Sequence, residues 1–338
     1  MTPRTRTTRL LAAVTVGLGA IALTGCGGGV SAGSAPDSAG EAITIENCGR
    51  TVEIPTTPTA VVGLHPSQTE LLLRLGLADS LVGQAQATAQ KLPADVAGMA
   101  ADVPVIGGDA PPSREELLAV EPDFVYSPTT YEFTAEQGFA SIEQLADAGV
   151  AAYTATGGCF DRRMEGTVDD LFIDLDNLGA IFHVEKEAND LIASSQAELA
   201  TVDTAIEGQD RPRVAQVFVE GTTLTAIGAG IEYDILQRAG ADNVFTPDDP
   251  AFADFFAAEI TPESLAAEAP DALVFAVTDS AHEAAVRSYL AATFPDMPAV
   301  RDGRLIAVPS TDLFPGTLGN VSAVRLIAEE LYPDAVFD

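Results

Sequence analysis

Two stretches of this chain repeat one another in order and spacing. Residues 115–126 read Glu-Glu-Leu-Leu-Ala-Val-Glu-Pro-Asp-Phe-Val-Tyr, and residues 263–274 read Glu-Ser-Leu-Ala-Ala-Glu-Ala-Pro-Asp-Ala-Leu-Val. In each, a glutamate opens a helical pattern seven residues before Pro-Asp and a buried-strand pattern. A second echo, Gly76-Leu77-Ala78-Asp79 against Gly240-Ala241-Asp242, falls each time between a helical pattern and an apolar run. Two echoes in the same order point to a duplicated lobe. The chain must then build two comparable α/β units rather than one large sheet.

The pattern along the chain supports this. Thr59–Leu64 reads as a strand. Ser67 and Glu70 have capping-box spacing ahead of a helix carrying Leu71, Leu72 and Leu75, which Gly76 closes. Ser113 and Glu116 cap a second helix, which stops before Pro122; 123–126 is the next strand, 142–148 a helix and 150–153 a strand. Such alternation predicts a mostly parallel sheet. From about 167 to 206 the pattern changes: proline is absent, Gly179 is the single glycine, and Leu171, Leu175, Leu178, Ile181 and Phe182 recur at helical spacing. One long helix is expected there, with Gly179 as its weak point. Strand and helix signals resume at 214–219 and run to the C-terminus. The expected plan is an N-terminal α/β lobe over 42–166, a linking helix over 167–208 and a C-terminal α/β lobe over 209–338.

Ahead of the lobes, Arg4, Arg6 and Arg9 precede an apolar run from Leu10 to Leu23, and Leu23-Thr24-Gly25-Cys26 follows. This is the layout of a bacterial secretory leader. Its last four residues have the form of a lipobox, cut before a cysteine that then carries lipid. Residues 1–25 are therefore read as a lipoprotein signal peptide and Cys26 as the lipidation site. The alternative is an ordinary leader in which Cys26 is incidental. The apolar run, about 14 residues, is short of the ~20 needed to span a bilayer. The glycine- and serine-rich residues 26–41 read as a flexible tether.

Composition excludes some partners. With 17 basic against 50 acidic residues the formal net charge is -33, which repels phosphate backbones and argues against nucleic acid. Tryptophan is absent and aromatics are 6%. With Cys26 set aside, Cys48 and Cys159 remain, either as a disulfide or as two buried thiols. Neither lies in a Cys-x-x-Cys, so no structural zinc site is expected. Within 42–338 there is no Gly-x-Ser-x-Gly, and His-Glu-x-x-His and a phosphate-binding loop with lysine are missing from the sequence. The reading is a binding protein rather than an enzyme; an extracellular hydrolase is the catalytic alternative, and a purely adhesive surface protein would have no pocket.

The lipobox, the strand–helix opening Val61-Val62-Gly63-Leu64-His65-Pro66-Ser67-Gln68-Thr69-Glu70, the paired Glu…Pro-Asp units and the helix between lobes make the chain similar to a known class. It resembles the periplasmic binding proteins that serve ABC importers of iron–siderophore complexes, haem and vitamin B12, over essentially all of 42–338. The resemblance implies two Rossmann-like lobes joined by a single long rigid helix, with ligand held in the cleft between them. It implies a monomer without a cofactor or metal site of its own, lipid-anchored on the outer face of the cell membrane. Its partners would be the permease and ATPase subunits of the importer. It also implies that Glu115 and Glu263 dock onto the permease; the simpler use of a glutamate at a helix start is to complement the helix dipole.

Ligand contacts are expected on loops that follow strands. The candidates are His65, Ser67, Tyr126, Tyr131, Phe160, Arg162, Arg163, Phe252, His282 and Phe314. Arg162 and Arg163 would meet an anionic ferric complex, or else pair with Asp161 or Glu165. A ferric siderophore is the leading ligand. Cobalamin and haem follow, haem with His65, Tyr126 or His282 as axial ligand. A divalent-metal receptor built on His65 and His282 has an incomplete ligand set, because His183 falls on the linking helix.

Overall fold

The computed structural model describes residues 42–88 and 90–337. The leader, Cys26 and the tether lie outside these residues.

The chain begins with a hairpin, β1 (Ile43–Asn47) paired with β2 (Arg50–Ile54). Its two-residue turn has Cys48 and Gly49 at φ 52° and 66°, the left-handed pair that a twisted hairpin requires. Then follow β3 (Val61–Gly63), α1 (Pro66–Arg74), β4 (Leu81–Ala85), α2 (Ala94–Ala97), β5 (Val105–Ile106), α3 (Arg114–Ala119), β6 (Phe124–Ser127), α4 (Ile142–Asp147) and β7 (Ala151–Thr154). Strands β3 to β7 form one sheet in the order β5-β4-β3-β6-β7, parallel at each pairing. Val61, Val62, Phe124 and Val125 are fully buried. Both faces of this sheet are covered, which is why its central strands read as unbroken apolar runs.

The hairpin docks on the β7 edge. The Asn47 amide donates to Thr154 O and accepts from Thr154 N–H, at 2.7 and 2.9 Å, and Arg50 donates to Ala152 O. Cys48 is disulfide-bonded to Cys159, with Cα atoms 5.1 Å apart.

The linking stretch differs from the single helix expected. It is two helices, α5 (Asp170–Phe182) and α6 (Glu185–Ile206), the second about 33 Å long at 1.5 Å per residue. The break is at His183, in the left-handed region at φ 55°, ψ 43°. Val184 N–H donates back to Gly179 O, closing α5 in the manner of a Schellman end. Gly179 has a different use: a Cβ there would sit 2.9 Å from the Ala188 Cβ. The glycine lets α6 cross closely over α5 rather than breaking the helix.

The second lobe contains β8 (Arg213–Glu220), β9 (Thr223–Ile227), α7 (Gly230–Arg238), β10 (Asp242–Asn243), β11 (Ala257–Glu259), α8 (Pro262–Glu268), β12 (Ala272–Val277), α9 (Ser280–Thr293), α10 (Pro298–Arg301), β13 (Leu305–Pro309) and α11 (Gly319–Leu331). Its sheet runs β11-β9-β8-β12-β13, with β10 also on β8. The β8, β10, β12 and β13 pairings are parallel; β9 and β11 add antiparallel edge strands. The sequence echoes occupy matching places. Helix α3 leads into central strand β6, and α8 leads into central strand β12. Gly76 and Gly240, at φ 81° and 82°, follow α1 and α7. A continuous apolar core, including Leu72, Phe124, Leu175, Ile235 and Ile327, runs through both lobes and the helices between them.

The expected Ser67–Glu70 capping box does not form. His65 is the N-cap of α1, with Pro66 at the first helical position, and its side chain accepts from Ser67 N–H. Proline suits that position because its missing N–H has no intrahelical partner to lose. Glu70 pairs with Arg74 instead, at 2.7 Å.

The Cys48–Cys159 bridge spans 111 positions. A loop of that length is expected to contribute about 2–5 kcal/mol. Urea unfolding with and without reductant should show that loss, and Cys159→Ser should reproduce it; coincident midpoints would show that the bridge adds nothing.

Candidate functional site

A cavity of about 750 Å³ opens between the lobes, within the range of small-molecule sites. It lies largely at the carboxyl ends of parallel strands, where α/β sheets present loops to ligands. The first lobe contributes Thr129–Tyr131 after β6, and Gly157, Gly158, Phe160 and Arg163 after β7. The second contributes Ser310 and Leu313–Pro315 after β13. The β8–β9 hairpin adds Val217, Phe218, Thr225 and Ile227, and Glu232 enters from the first turn of α7. Gly158 permits close loop packing: a Cβ there would overlap Pro128 O, 1.8 Å away.

The lining is mostly apolar and its rings are open to solvent. Tyr131, Phe160 and Phe255 are 54%, 67% and 44% exposed, an uncommon state for large rings unless they serve contact. Arg163 lies over Phe160 at 4.2 Å and over Phe255 at 5.0 Å, and donates to Asp254 O at 3.0 Å. Phe160 and Phe255 come from different lobes, so this cation–π stack bridges the cleft.

Of the residues singled out from sequence, Tyr131, Phe160, Arg163 and Phe314 line the cavity. The others do not. His65 is buried, caps α1 and packs on Phe314 with ring centroids 4.1 Å apart. Ser67 is buried in the same helix turn, with its hydroxyl 2.7 Å from His65 Nδ1. Tyr126 is fully buried and donates to Gly316 O at 3.1 Å, so it joins the lobes beneath the cleft. Arg162 pairs with neither Asp161 nor Glu165 but with the buried Asp170, through Nε at 3.0 Å. Phe252 fills the second-lobe core against the bare backbone of Gly228, where a Cβ would lie 2.5 Å from the ring. His282 sits in the first turn of α9. Its Nδ1 accepts from Thr278 N–H, which leaves Nε2 to donate to Val219 O.

Phe218, Glu232, Phe255 and Phe256 line the cavity without having been singled out. The adjacent pair Phe255-Phe256 was the available signal, together with the alternation Thr223-Leu224-Thr225-Ala226-Ile227 that makes β9 a strand. Glu232 had none in a chain with so many acids.

Burial sets the charge states near the site. His65 is pushed down to about 3 by loss of hydration, so it is neutral. Asp174, fully enclosed, is pushed up to about 7 although Tyr153 and Thr156 donate to it. Asp312 rises to about 6, through burial and the nearby Glu70. Glu232 rises to about 8 through burial; its carboxylate accepts from Gln216 Nε2. Among the described residues no three His, Cys, Asp or Glu side chains come together as a metal site, and no helix is long and apolar enough to cross a membrane.

Glu115 and Glu263 are exposed in the first turns of α3 and α8. The two helices start alike. Ser113 and Thr261 are the N-caps, and Leu117 and Leu265 are the buried anchors.

The family described as periplasmic binding protein matches residues 61–311. An uncharacterized ABC transporter substrate-binding lipoprotein of Bacillus subtilis, YvrC, is 25% identical over 169 residues, 50% of this chain and 48% of that protein. The chain thus spans about half the length of the curated relative it matches. A periplasmic binding protein from Veillonella parvula superimposes with a TM-score of 0.76 at 23% identity, over 87% of this chain and 99% of the other. An ABC-type Fe3+-hydroxamate transport system structure from Saccharomonospora viridis gives 0.69 at 24%, over 85% and 98%. A periplasmic heme binding protein from Pseudomonas aeruginosa gives 0.65 at 24%, over 82% and 94%. At these identities the likeness to solved structures is one of fold.

The buried carboxyls govern the pH response. Asp174, Glu232 and Asp312 keep protons at pH values where the unfolded chain, near 3.8, 4.5 and 3.8, has released them. Their contribution is complete below about pH 4 and is lost as pH rises through 6 to 8. Glu70 and Glu132, also raised by burial, act in the same sense. His65 opposes them, with a contribution present above 6.5 and lost as pH falls toward 3. The carboxyls outnumber the histidine, so the urea midpoint should fall between pH 5 and pH 8, and fall less in Glu232→Gln. A midpoint that rises over that interval would contradict the buried-acid account.

Proposed function

Because the chain belongs to the periplasmic binding protein family, we propose that it is the substrate-binding component of an ABC importer, capturing a ferric siderophore complex between its lobes and delivering it to a membrane permease. The observation that carries this reading is the cavity of about 750 Å³ walled by solvent-open rings from both lobes. Its role is capture and release without chemical change. The Fe3+-hydroxamate transport and heme binding proteins among its structural neighbours lend the ligand class its support. Haem is the second reading: Tyr131 is the lining residue with an oxygen suited to axial ligation, whereas His65, Tyr126 and His282 are committed elsewhere. Cobalamin is the third.

In this reading the receptor works as a monomer outside the cytoplasm, held at the membrane by lipid on Cys26. The lipoprotein name of the Bacillus subtilis relative agrees with that anchor. Glu115 and Glu263 would meet cationic side chains of the permease. Their support is geometric: each is exposed on a short helix whose cap and buried leucine have the same spacing.

The chain has six tyrosines and no tryptophan, and Tyr131 lines the cleft. Tyrosine emission should therefore be quenched saturably, at one ligand per chain, by a ferric hydroxamate, haem or cobalamin; flat titrations with all three would sink the receptor reading. Reversing charge at both docking positions, Glu115→Arg with Glu263→Arg, should block uptake with ligand affinity unchanged. A loss of affinity would instead place these residues in the fold or the pocket.

A further inference from the structure

Two of the side chains that line the cleft are acidic or basic, and the protein uses them differently. Arg163 is engaged by two rings and by Asp254 O. Glu232 has no cationic partner: no ion pair among the described residues includes it. Among the described residues its one side-chain hydrogen bond is with Gln216 Nε2. Gln216 lies on β8, 1% exposed, and its Oε1 has no hydrogen-bond partner. The same cavity is lined by Val217, Phe218, Ile227, Ile231 and Phe256.

An acid placed in such a wall loses hydration and receives nothing from the chain to offset it. Nor is its position accidental. Gly230, at φ 72°, starts α7 against the first-lobe loop; its N–H donates to Met164 O, and a Cβ would lie 2.5 Å from Arg163 O. Both lobes thus fix the turn that carries Glu232. A group built into a rigid wall and left without a counter-charge is suited to one that arrives with the ligand.

We propose that Glu232, held by Gln216, recognises an ammonium or other cationic group on the ligand, so that the cleft selects ferric complexes bearing a free amine over neutral or anionic ones. This deepens the receptor reading and rests on it. An anionic tris-catecholate complex brings no cation to the carboxyl, whereas an ammonium supplies both charge and donors to it. Because burial keeps Glu232 protonated at neutral pH, an arriving cation displaces that proton to solvent. Arg163 and Tyr131 are the other ionisable groups on the lining.

Calorimetric titration at pH 7 tests this with three probes: a ferric trihydroxamate carrying a free ammonium, the same complex N-acetylated, and a ferric tris-catecholate. The ammonium complex should bind at least about tenfold more tightly than the acetylated one, about 1.4 kcal/mol, and release a proton, seen as a heat that varies with buffer. Glu232→Gln should erase both the preference and the proton release. Equal affinity of the native protein for the ammonium and acetylated complexes, or a preference that survives in Glu232→Gln, overturns the role of Glu232 and leaves the receptor reading standing. Binding to none of the three complexes overturns both.

Discussion

Gly316 occupies a slot that no other residue could fill without displacing its neighbours. It sits at φ 69°, and a Cβ there would lie 2.5 Å from both the Tyr126 hydroxyl and the Ala155 Cβ. Its carbonyl accepts from Tyr126, and the adjoining Pro315 carbonyl accepts from Gln68 at 2.9 Å. Both donors are fully buried in the first lobe, so leaving either bond unmade would be costly. Through this contact a loop of the second lobe is seated in the first. It places Leu313, Phe314 and Pro315 on the cleft lining, and it sets Phe314 on the neutral His65 ring. The shape of the cleft therefore follows from a backbone contact beneath it, not only from the rings that line it.

The scarce cations are placed with similar economy. Arg238 joins Asp169, at the start of α5, to Asp234 on its own helix. Arg325 on α11 reaches Glu198 on α6 as well as Glu329, and Arg162 meets the buried Asp170. These pairs lie on or against the helices that link the lobes. Each partly exposed pair is worth little alone, but together they fix where those helices sit in a chain whose net charge of -33 would otherwise favour expansion.

Much of the architecture was legible in the sequence because its signals are local. Apolar runs after each Pro-Asp marked strands β6 and β12, and Gly76 and Gly240 followed corresponding helices. The break between α5 and α6 was not legible where it occurs. His183 in a left-handed conformation leaves no compositional mark, and Gly179, the obvious candidate, serves a close helix crossing. The N-cap of α1 was misread because Ser67 and Glu70 have capping spacing, although Pro66 was the better sign of the helix start. In the cleft, position along the chain indicated loops but not which side chains face the cavity. Tyr126 and Phe252 are as aromatic as Tyr131 and Phe255. Only tertiary fit, a carbonyl above one and a bare glycine backbone beside the other, turns them inward.

The Cys48–Cys159 bridge has a mechanical consequence. Strand β1 runs from Ile43 to Asn47, and Cys48 follows it in the turn. A load applied at the Ile43 end of the hairpin can peel β1 from β2 only as far as the turn. There it meets a covalent bond to the loop that carries Gly158 and Phe160. Further force is then borne by the first-lobe sheet as a whole, and five residues of strand act as a short yielding element in front of a fixed anchor point beside the cleft.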